Sequence, residues 1–296
     1  MNQLVTSVIA AEQIGQICCP ICSAVDVRSL ATVEGQSLMK CGSCRVAYLF
    51  PQPAASEVTA QFEKDEIAVA TEREQRFESN REPVLARVAN YIYGKQPGDI
   101  LDVGCATGYF LTRFFSGSTW RRWGVELSPN FAQLAAANDI RVYCGDVSQA
   151  EFPTEQFDAV TVLDAFYYFR QPQVTLLEFR RILKCDGILL LELPFGGSRI
   201  WRATGRLGRF LSGTRTPLLK TSNHLFYYSP QSITVLLKQC GFEVQAICLL
   251  PGNKQAGAVR NAVYKSFYYL SITLKSLSRS KLFLGPRFLV AAVKKS

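Results

Sequence analysis

The feature that most restricts the fold is a rhythm that sets in at Asp99: short, continuously apolar runs alternate with stretches of helical periodicity almost to the last residue. Ile100–Val103, Trp123–Glu126, Ile140–Tyr143, Phe157–Leu163, Gly187–Leu193 and Phe242–Leu249 read as strands, with Arg287–Val293 as a closing strand. Residues 108–116, 131–138, 174–183, 230–240 and 260–279 read as helices. Strands without polar alternation are buried on both faces, and strands separated by helices pair in parallel. The chain is therefore predicted to be α/β, with a Rossmann-like, seven-stranded sheet. Pro51-Gln52-Pro53 and Gln96-Pro97-Gly98 punctuate the earlier part, because proline halts both helix and ladder. The expected organisation is an N-terminal arm (1–17), a cysteine-bearing ribbon (18–50), a helical linker or lid (51–98) starting at Ser56-Glu57, and an α/β domain (99–296) with an insertion at 195–222.

The first predicted strand ends in Asp102-Val103-Gly104-Cys105-Ala106-Thr107-Gly108, and a helix follows. Glycines here let a ligand approach the backbone closely. The pattern is D-x-G-x-x-x-G; it is neither the pyrophosphate-binding G-x-G-x-x-G nor a P-loop with its lysine. It suits a ligand with a small polar head. Glu126 ends the second strand, where an acid can accept both hydroxyls of a ribose. Asp146 follows the third strand, where a carboxylate can accept from an adenine amino group. Each feature alone reads equally as an ordinary turn or a solvated acid. Three acids at three consecutive strand ends point to a ligand crevice.

Asp102–Gly108, Val125-Glu126-Leu127-Ser128, Gly145-Asp146 and Phe157-Asp158-Ala159-Val160 resemble the successive motifs of class I S-adenosylmethionine-dependent methyltransferases. Arg180–Gly187, His224–Ser229 and Gly241–Val244 match the later part of that pattern, so the resemblance spans roughly residues 80–250. It implies the cofactor S-adenosylmethionine. Asp102, Gly104, Cys105, Ala106 and Gly108 would hold its methionine end, Glu126 its ribose and Asp146 its adenine, with Leu127, Val147 and Asp164 also binding the cofactor. Asp164, Tyr167 and Tyr168, beyond the fourth strand, would lie near the methyl group. There are two departures. Ala106 stands where a third glycine is common, which is tolerable if its φ is negative. Tyr167-Tyr168 stands where many relatives carry Glu-His. His224 is the single histidine. It either deprotonates the acceptor as general base, beside Tyr168, or orients the loop before helix 230–240.

Cys19, Cys22, Cys41 and Cys44 form C-x2-C-x18-C-x2-C. That spacing fits a structural zinc ribbon with four thiolate ligands and no open position. The alternative, a redox CxxC, does not explain two pairs. Cys18 is a spare neighbour. Paired cysteines without a secretory leader are expected in the reducing cytoplasm. A zinc ribbon followed by Pro51-Gln52-Pro53, a helix and a methyltransferase domain resembles a bacterial group whose members often modify sugars or cell-surface glycoconjugates.

Charge is divided unevenly. Residues 1–192 carry 17 Lys/Arg against 23 acids, whereas residues 193–296 carry 16 Lys/Arg against Glu243 alone. Such a field attracts anionic partners. In the insertion, Arg199, Arg202, Arg206, Arg209 and Arg215 are interleaved with Ile200, Trp201, Leu207, Phe210 and Leu211, which suits a basic lid. Val263, Phe267, Leu270, Leu274 and Leu277 recur at helical spacing; packing on the sheet is expected, with attachment to a membrane surface as the alternative. The resulting expectation is a methyltransferase acting on a hydroxyl of a sugar, glycolipid or other anionic cell-surface precursor. Its partners would be a small-molecule or lipid-linked saccharide and, peripherally, the anionic inner face of a membrane. Two alternatives stay open: a zinc-ribbon RNA methyltransferase, and a non-catalytic binding module on the same fold. Nucleic acid is the weaker reading, since no RNA-binding motif lies outside the ribbon and strand four lacks Asn/Asp-Pro-Pro-Tyr.

Overall fold

The computed structural model describes residues 17–33, 35–54, 57, 67–196, 224–251, 258–277 and 285–295. The expected N-terminal arm apart from Ile17, the expected helix start at Ser56, and the basic insertion beyond Gly196 lie outside these residues.

The centre of the molecule is a seven-stranded sheet in the order β10-β11-β8-β7-β4-β5-β6. Its strands are β4 (Asp99–Val103), β5 (Arg121–Glu126), β6 (Arg141–Cys144), β7 (Phe157–Leu163), β8 (Leu183–Pro194), β10 (Phe242–Leu250) and β11 (Arg287–Lys294). β4 pairs in parallel with β5 and β7, β5 with β6, and β7 with β8, while β11 runs antiparallel to both β8 and β10. The apolar runs are buried as their composition requires: every residue of β4 is buried, and so are Leu189, Leu190 and Leu191 in β8. β8 begins earlier than the expected Gly187, because the chain passes from helix to strand at Leu183.

Helices cover both faces. On one lie α4 (Pro172–Ile182) and α5 (Pro230–Gln239), whose Leu176, Phe179, Ile233 and Leu236 join the core beneath β7 and β8. On the other lie α2 (Tyr109–Phe115), α3 (Pro129–Ala136) and α1 (Ile67–Tyr93). In α1, Val84, Leu85, Val88, Ala89 and Ile92 fall on one stripe and are buried with Ile100, Phe110 and Leu111. A buried aliphatic side chain contributes roughly 1.5–3 kcal/mol. The second half of the expected linker or lid is thus a core helix.

The helix expected over 260–279 is α6 (Ala258–Leu277), inserted between β10 and β11. Its orientation differs from the expectation. Tyr268 and Ser271 are buried, and the Tyr268 hydroxyl donates to the Leu249 carbonyl at 3.4 Å, whereas Leu270 and Leu277 are exposed together with Tyr269 and Ile272. The side chains of Val263 and Phe267 lie outside the description. With Tyr268 seated on the end of β10, Leu270 and Leu277 of the aliphatic stripe face outward and Leu274 is half-buried. Leu250 pairs with Arg287, and Arg287 with Pro194, so the 195–222 insertion and the segment that carries α6 both leave the sheet from neighbouring strand ends on one rim.

The second sheet has the order β1-β2-β3-β9. β1 (Val27–Val33), β2 (Gln36–Cys41) and β3 (Ala47–Phe50) form an antiparallel meander, and β9 (Phe226–Tyr227), from far along the chain, pairs with β3 as its fourth strand.

Candidate functional site

The site is built at the carboxyl ends of β4 and β5. Gly104 has φ +76°, and a Cβ there would lie 2.9 Å from the Ala165 methyl, so the turn and the segment after β7 approach too closely for a side chain. The N–H groups of Gly104 and Cys105 both donate to the Val125 carbonyl, which fastens the turn to β5. Ala106 does not meet the condition of a negative φ: it sits at +47°. What holds it there is Glu126, whose Oε2 accepts from the Ala106 N–H at 2.9 Å while Oε1 accepts from Ser128 N–H at 2.9 Å. The carboxylate lies edge-on to the glycine turn, and each oxygen keeps a lone pair for a ligand. Burial raises the Glu126 carboxyl above its usual range, against the pull of these backbone donors. Asp102, also buried, accepts from the Thr161 hydroxyl at 2.6 Å. Burial pushes it up to about 7, helped by Glu126 and opposed by Thr161 and Arg81.

A cavity of about 620 Å³ opens above this turn, within the range of small-ligand sites. Asp102, Gly104, Cys105 and Ala106 line one side, and Glu126, Leu127, Asp146 and Val147 another. Asp146 also starts the short 3-10 turn Val147–Gln149, its Oδ1 accepting from Ser148 N–H and hydroxyl. Asp164, Tyr167 and Tyr168 complete the wall beyond β7. Two predicted residues are not on the wall. Gly108 (φ +77°) starts α2, and a Cβ there would collide with Ile140, so its role is the turn and its packing. His224 is buried behind the tyrosines, stacked on Tyr167 with ring centroids 3.7 Å apart and edge-on to Tyr168 at 5.4 Å. A ring in that place does not face the cavity, which weakens its reading as a base.

Sequence reasoning missed Phe77, Glu78 and Arg81, which α1 brings to the cavity. Glu78 accepts from the Thr107 hydroxyl at 2.7 Å. Arg81 donates to Glu192 at 2.6 Å, and its buried Nε has no hydrogen-bond partner among the described residues. Arg287 joins Glu192 at 2.6 Å to Asp164 at 2.9 Å, and the Tyr167 hydroxyl donates to Asp164 at 2.9 Å. Two cations and two anions, nearly dry, form one cluster, and Arg81 and Asp164 bring it to the cavity wall. Glu192 carried a signal: an acid within Leu189-Leu190-Leu191-Glu192-Leu193 must be buried, and a buried charge needs a partner.

The four ribbon cysteines converge. Cys19 Sγ lies 3.6 Å from Cys44 Sγ and Cys22 Sγ 3.6 Å from Cys41 Sγ, with all four within 4.8 Å of one another. Thiolates around tetrahedral zinc stand about 3.8 Å apart, against about 2.05 Å in a disulfide. The set fits zinc and a zinc ribbon. For the cofactor the fit rests on the pinned Glu126 carboxylate beside the open turn and on the orphaned Arg81 Nε at the cavity edge.

Sheet order, crevice and acids together define a class I methyltransferase fold. The methyltransferase-domain family matches residues 73–247, more than half of the chain, and the chain belongs to that family of S-adenosylmethionine-dependent enzymes. A tRNA U34 carboxymethyltransferase of Shewanella frigidimarina is 33% identical over 113 residues, covering 36% of this chain and 34% of the relative. A malonyl-[acyl-carrier protein] O-methyltransferase of Herminiimonas arsenicoxydans is 31% identical over 121 residues, covering 40% and 45%. The chain thus spans less than half of the length of these curated relatives. Among solved structures, the complex between the Haloferax volcanii Trm112 methyltransferase activator and a methyltransferase matches with a TM-score of 0.55 and 18% identity over 79% of this chain and 97% of the other. The PH0226 protein of Pyrococcus horikoshii matches with a TM-score of 0.52 and 17% identity over 75% and 92%. At that identity the likeness speaks for the fold alone.

Proposed function

We propose that the chain transfers a methyl group from S-adenosylmethionine to a hydroxyl of an anionic saccharide, free or lipid-linked. The observation that carries the methyltransferase reading is the Glu126 carboxylate, fixed beside the open Gly104–Ala106 turn on the cavity wall. Glu126 would hold the ribose; Asp146, Val147 and Leu127 would hold the adenine. Arg81 and Asp102 would take the carboxylate and ammonium of the methionine end. The cofactor supplies an electrophilic methyl group on a sulfonium. For such a displacement, positioning and exclusion of water supply much of the acceleration. Tyr168, which lines the wall beyond β7, would hold an acceptor hydroxyl, and Asp164, bonded to Arg287 and Tyr167, would support that wall. Cys19, Cys22, Cys41 and Cys44 would hold a structural zinc ion.

The acid-poor, basic C-terminal third favours an anionic acceptor, and the exposed face of α6 (Tyr269, Leu270, Ile272, Leu277, with Lys265) suits peripheral attachment to an anionic membrane. No helix among the described residues is long and apolar enough to cross a bilayer. Transfer to oxygen agrees with the name of the Herminiimonas relative. A second reading has its own support: the Shewanella relative is named for a tRNA, and the same basic third fits phosphates.

Calorimetry with S-adenosylmethionine tests the site. Binding is expected for the wild type and lost in Glu126→Ala; no binding by the wild type, or full binding by the variant, refutes it. Methyl transfer to extracted lipid-linked saccharides, against transfer to unmodified tRNA, decides between the acceptors.

A further inference from the structure

The ribbon does not hang from the catalytic domain; it shares a sheet with it. β3 pairs with β9 through Ala47–Tyr227 and Tyr48–Phe226, and Leu49 N–H donates to the Leu225 carbonyl at 3.0 Å. Leu225 N–H in turn donates to the Tyr167 carbonyl at 3.1 Å. Two successive backbone bonds therefore run from the ribbon's last strand to the turn that carries Tyr167 and Tyr168. His224, next in the chain to Leu225, stacks on Tyr167. Both cysteine knuckles are moored as well. The Pro20 carbonyl accepts from the Gln173 side chain of α4, and the Ser43 carbonyl accepts from the Gln231 side chain of α5 at 3.2 Å. Cys19, Cys41 and Cys44 are buried in the same apolar cluster as Phe166, Leu225, Phe226 and Tyr228. No ribbon residue lines the cavity, and the ribbon's described bonds reach neither Glu126 nor the Gly104 turn.

From this asymmetry we infer that the cysteine tetrad and its metal set the geometry of the acceptor side, with Tyr167 and His224 as positioning residues, and leave the cofactor end unaffected. A meander of three short strands has little core of its own, so its metal largely keeps it folded. Losing the metal loosens β3, then β9, then the tyrosine turn. Cofactor affinity is set by β4, β5 and α1, to which no described hydrogen bond or strand pairing runs from the ribbon, though Val103 and Val125 share its apolar cluster. This rests on the reading of the cavity as an S-adenosylmethionine site.

The single histidine makes the inference directly visible, because tag-free, ¹³C-histidine-labelled protein gives one imidazole signal. Zinc-loaded protein is compared with protein stripped by a chelator and with stripped protein given zinc again. The His224 signal is expected to shift or broaden on stripping and to return on reloading. The dissociation constant for S-adenosylmethionine should stay within about twofold, while methyl transfer falls by about tenfold or more, the scale of a misplaced positioning group. A Gln173→Ala/Gln231→Ala variant keeps all four thiols and loosens the moorings, and should move the same signal part of the way. An unmoved His224 signal in stripped protein and in this variant overturns the inference. So does loss of cofactor binding in step with the metal. If zinc-loaded wild type binds no S-adenosylmethionine, the reading of the cavity fails instead, and the His224 comparison still decides the coupling.

Discussion

Asp102 is the residue whose environment makes the sharpest demand. Its carboxyl is held up to about 7 in the folded chain against an ordinary value of 3.8, so the folded state keeps the proton over a range where the unfolded state has lost it. Stability on this account is greatest below about pH 4 and declines as pH rises towards 7. The cofactor carries a net positive charge and favours the carboxylate, so its affinity should rise as pH climbs through about 7. Asp102→Asn should flatten both trends, read by thermal melts and calorimetry across pH. Ala106, at φ +47°, carries the strain of a left-handed non-glycine residue, about 1–2 kcal/mol. Glycine offsets part of this gain by enlarging the unfolded ensemble. Ala106→Gly is therefore expected to stabilise the chain by up to about 1 kcal/mol in urea unfolding; a loss of stability would argue against the strained turn. Asp102, Glu126 and Asp146 were legible in the sequence, because acids at successive strand ends face one crevice. Glu78 and Arg81 were not, because nothing in a helix's periodicity tells which of its polar residues reaches over a sheet edge.

Among the elements, β8 and β11 meet through the ion cluster that also holds α1 to the sheet. Removing one partner from a buried, paired set leaves an uncompensated charge and costs about 3–5 kcal/mol. Arg287→Gln takes the shared cation from Glu192 and Asp164 at once, Glu192 keeping Arg81, and should destabilise by the lower end of that range, measured by urea unfolding; a change within 1 kcal/mol would refute the cluster as described. The strands themselves were readable from their continuous apolar runs and their glycine and proline boundaries. The direction of α6 was not: its aliphatic spacing is genuine, but Tyr268 and Ser271 claim the inner side. Nor was the pairing of β9, since two residues carry no periodicity and their partner lies at the other end of the chain.

At the scale of the molecule, charge separates the two ends of the chain, and α6 is the described element where exposed apolar side chains meet that basic third. If the proposed membrane attachment holds, sedimentation with vesicles containing anionic lipid should weaken as salt is raised and fall strongly in Leu270→Ser/Leu277→Ser, with melting temperature unchanged. Equal binding to neutral vesicles would refute the electrostatic part. The charge division was plain in the sequence. Which surface it decorates depended on how α6 docks.

The shared strand also bears on how the protein can be dissected. Cutting away everything before Gln52 would not release a self-sufficient enzyme: it would strip the cover from Phe226, Tyr227 and Leu225 and leave their backbone groups without cross-strand mates. Such a raw margin invites association with neighbouring copies. Insolubility of the shortened chain, relieved by supplying residues 1–51 as a separate peptide, would be the practical mark of two parts that were never independent.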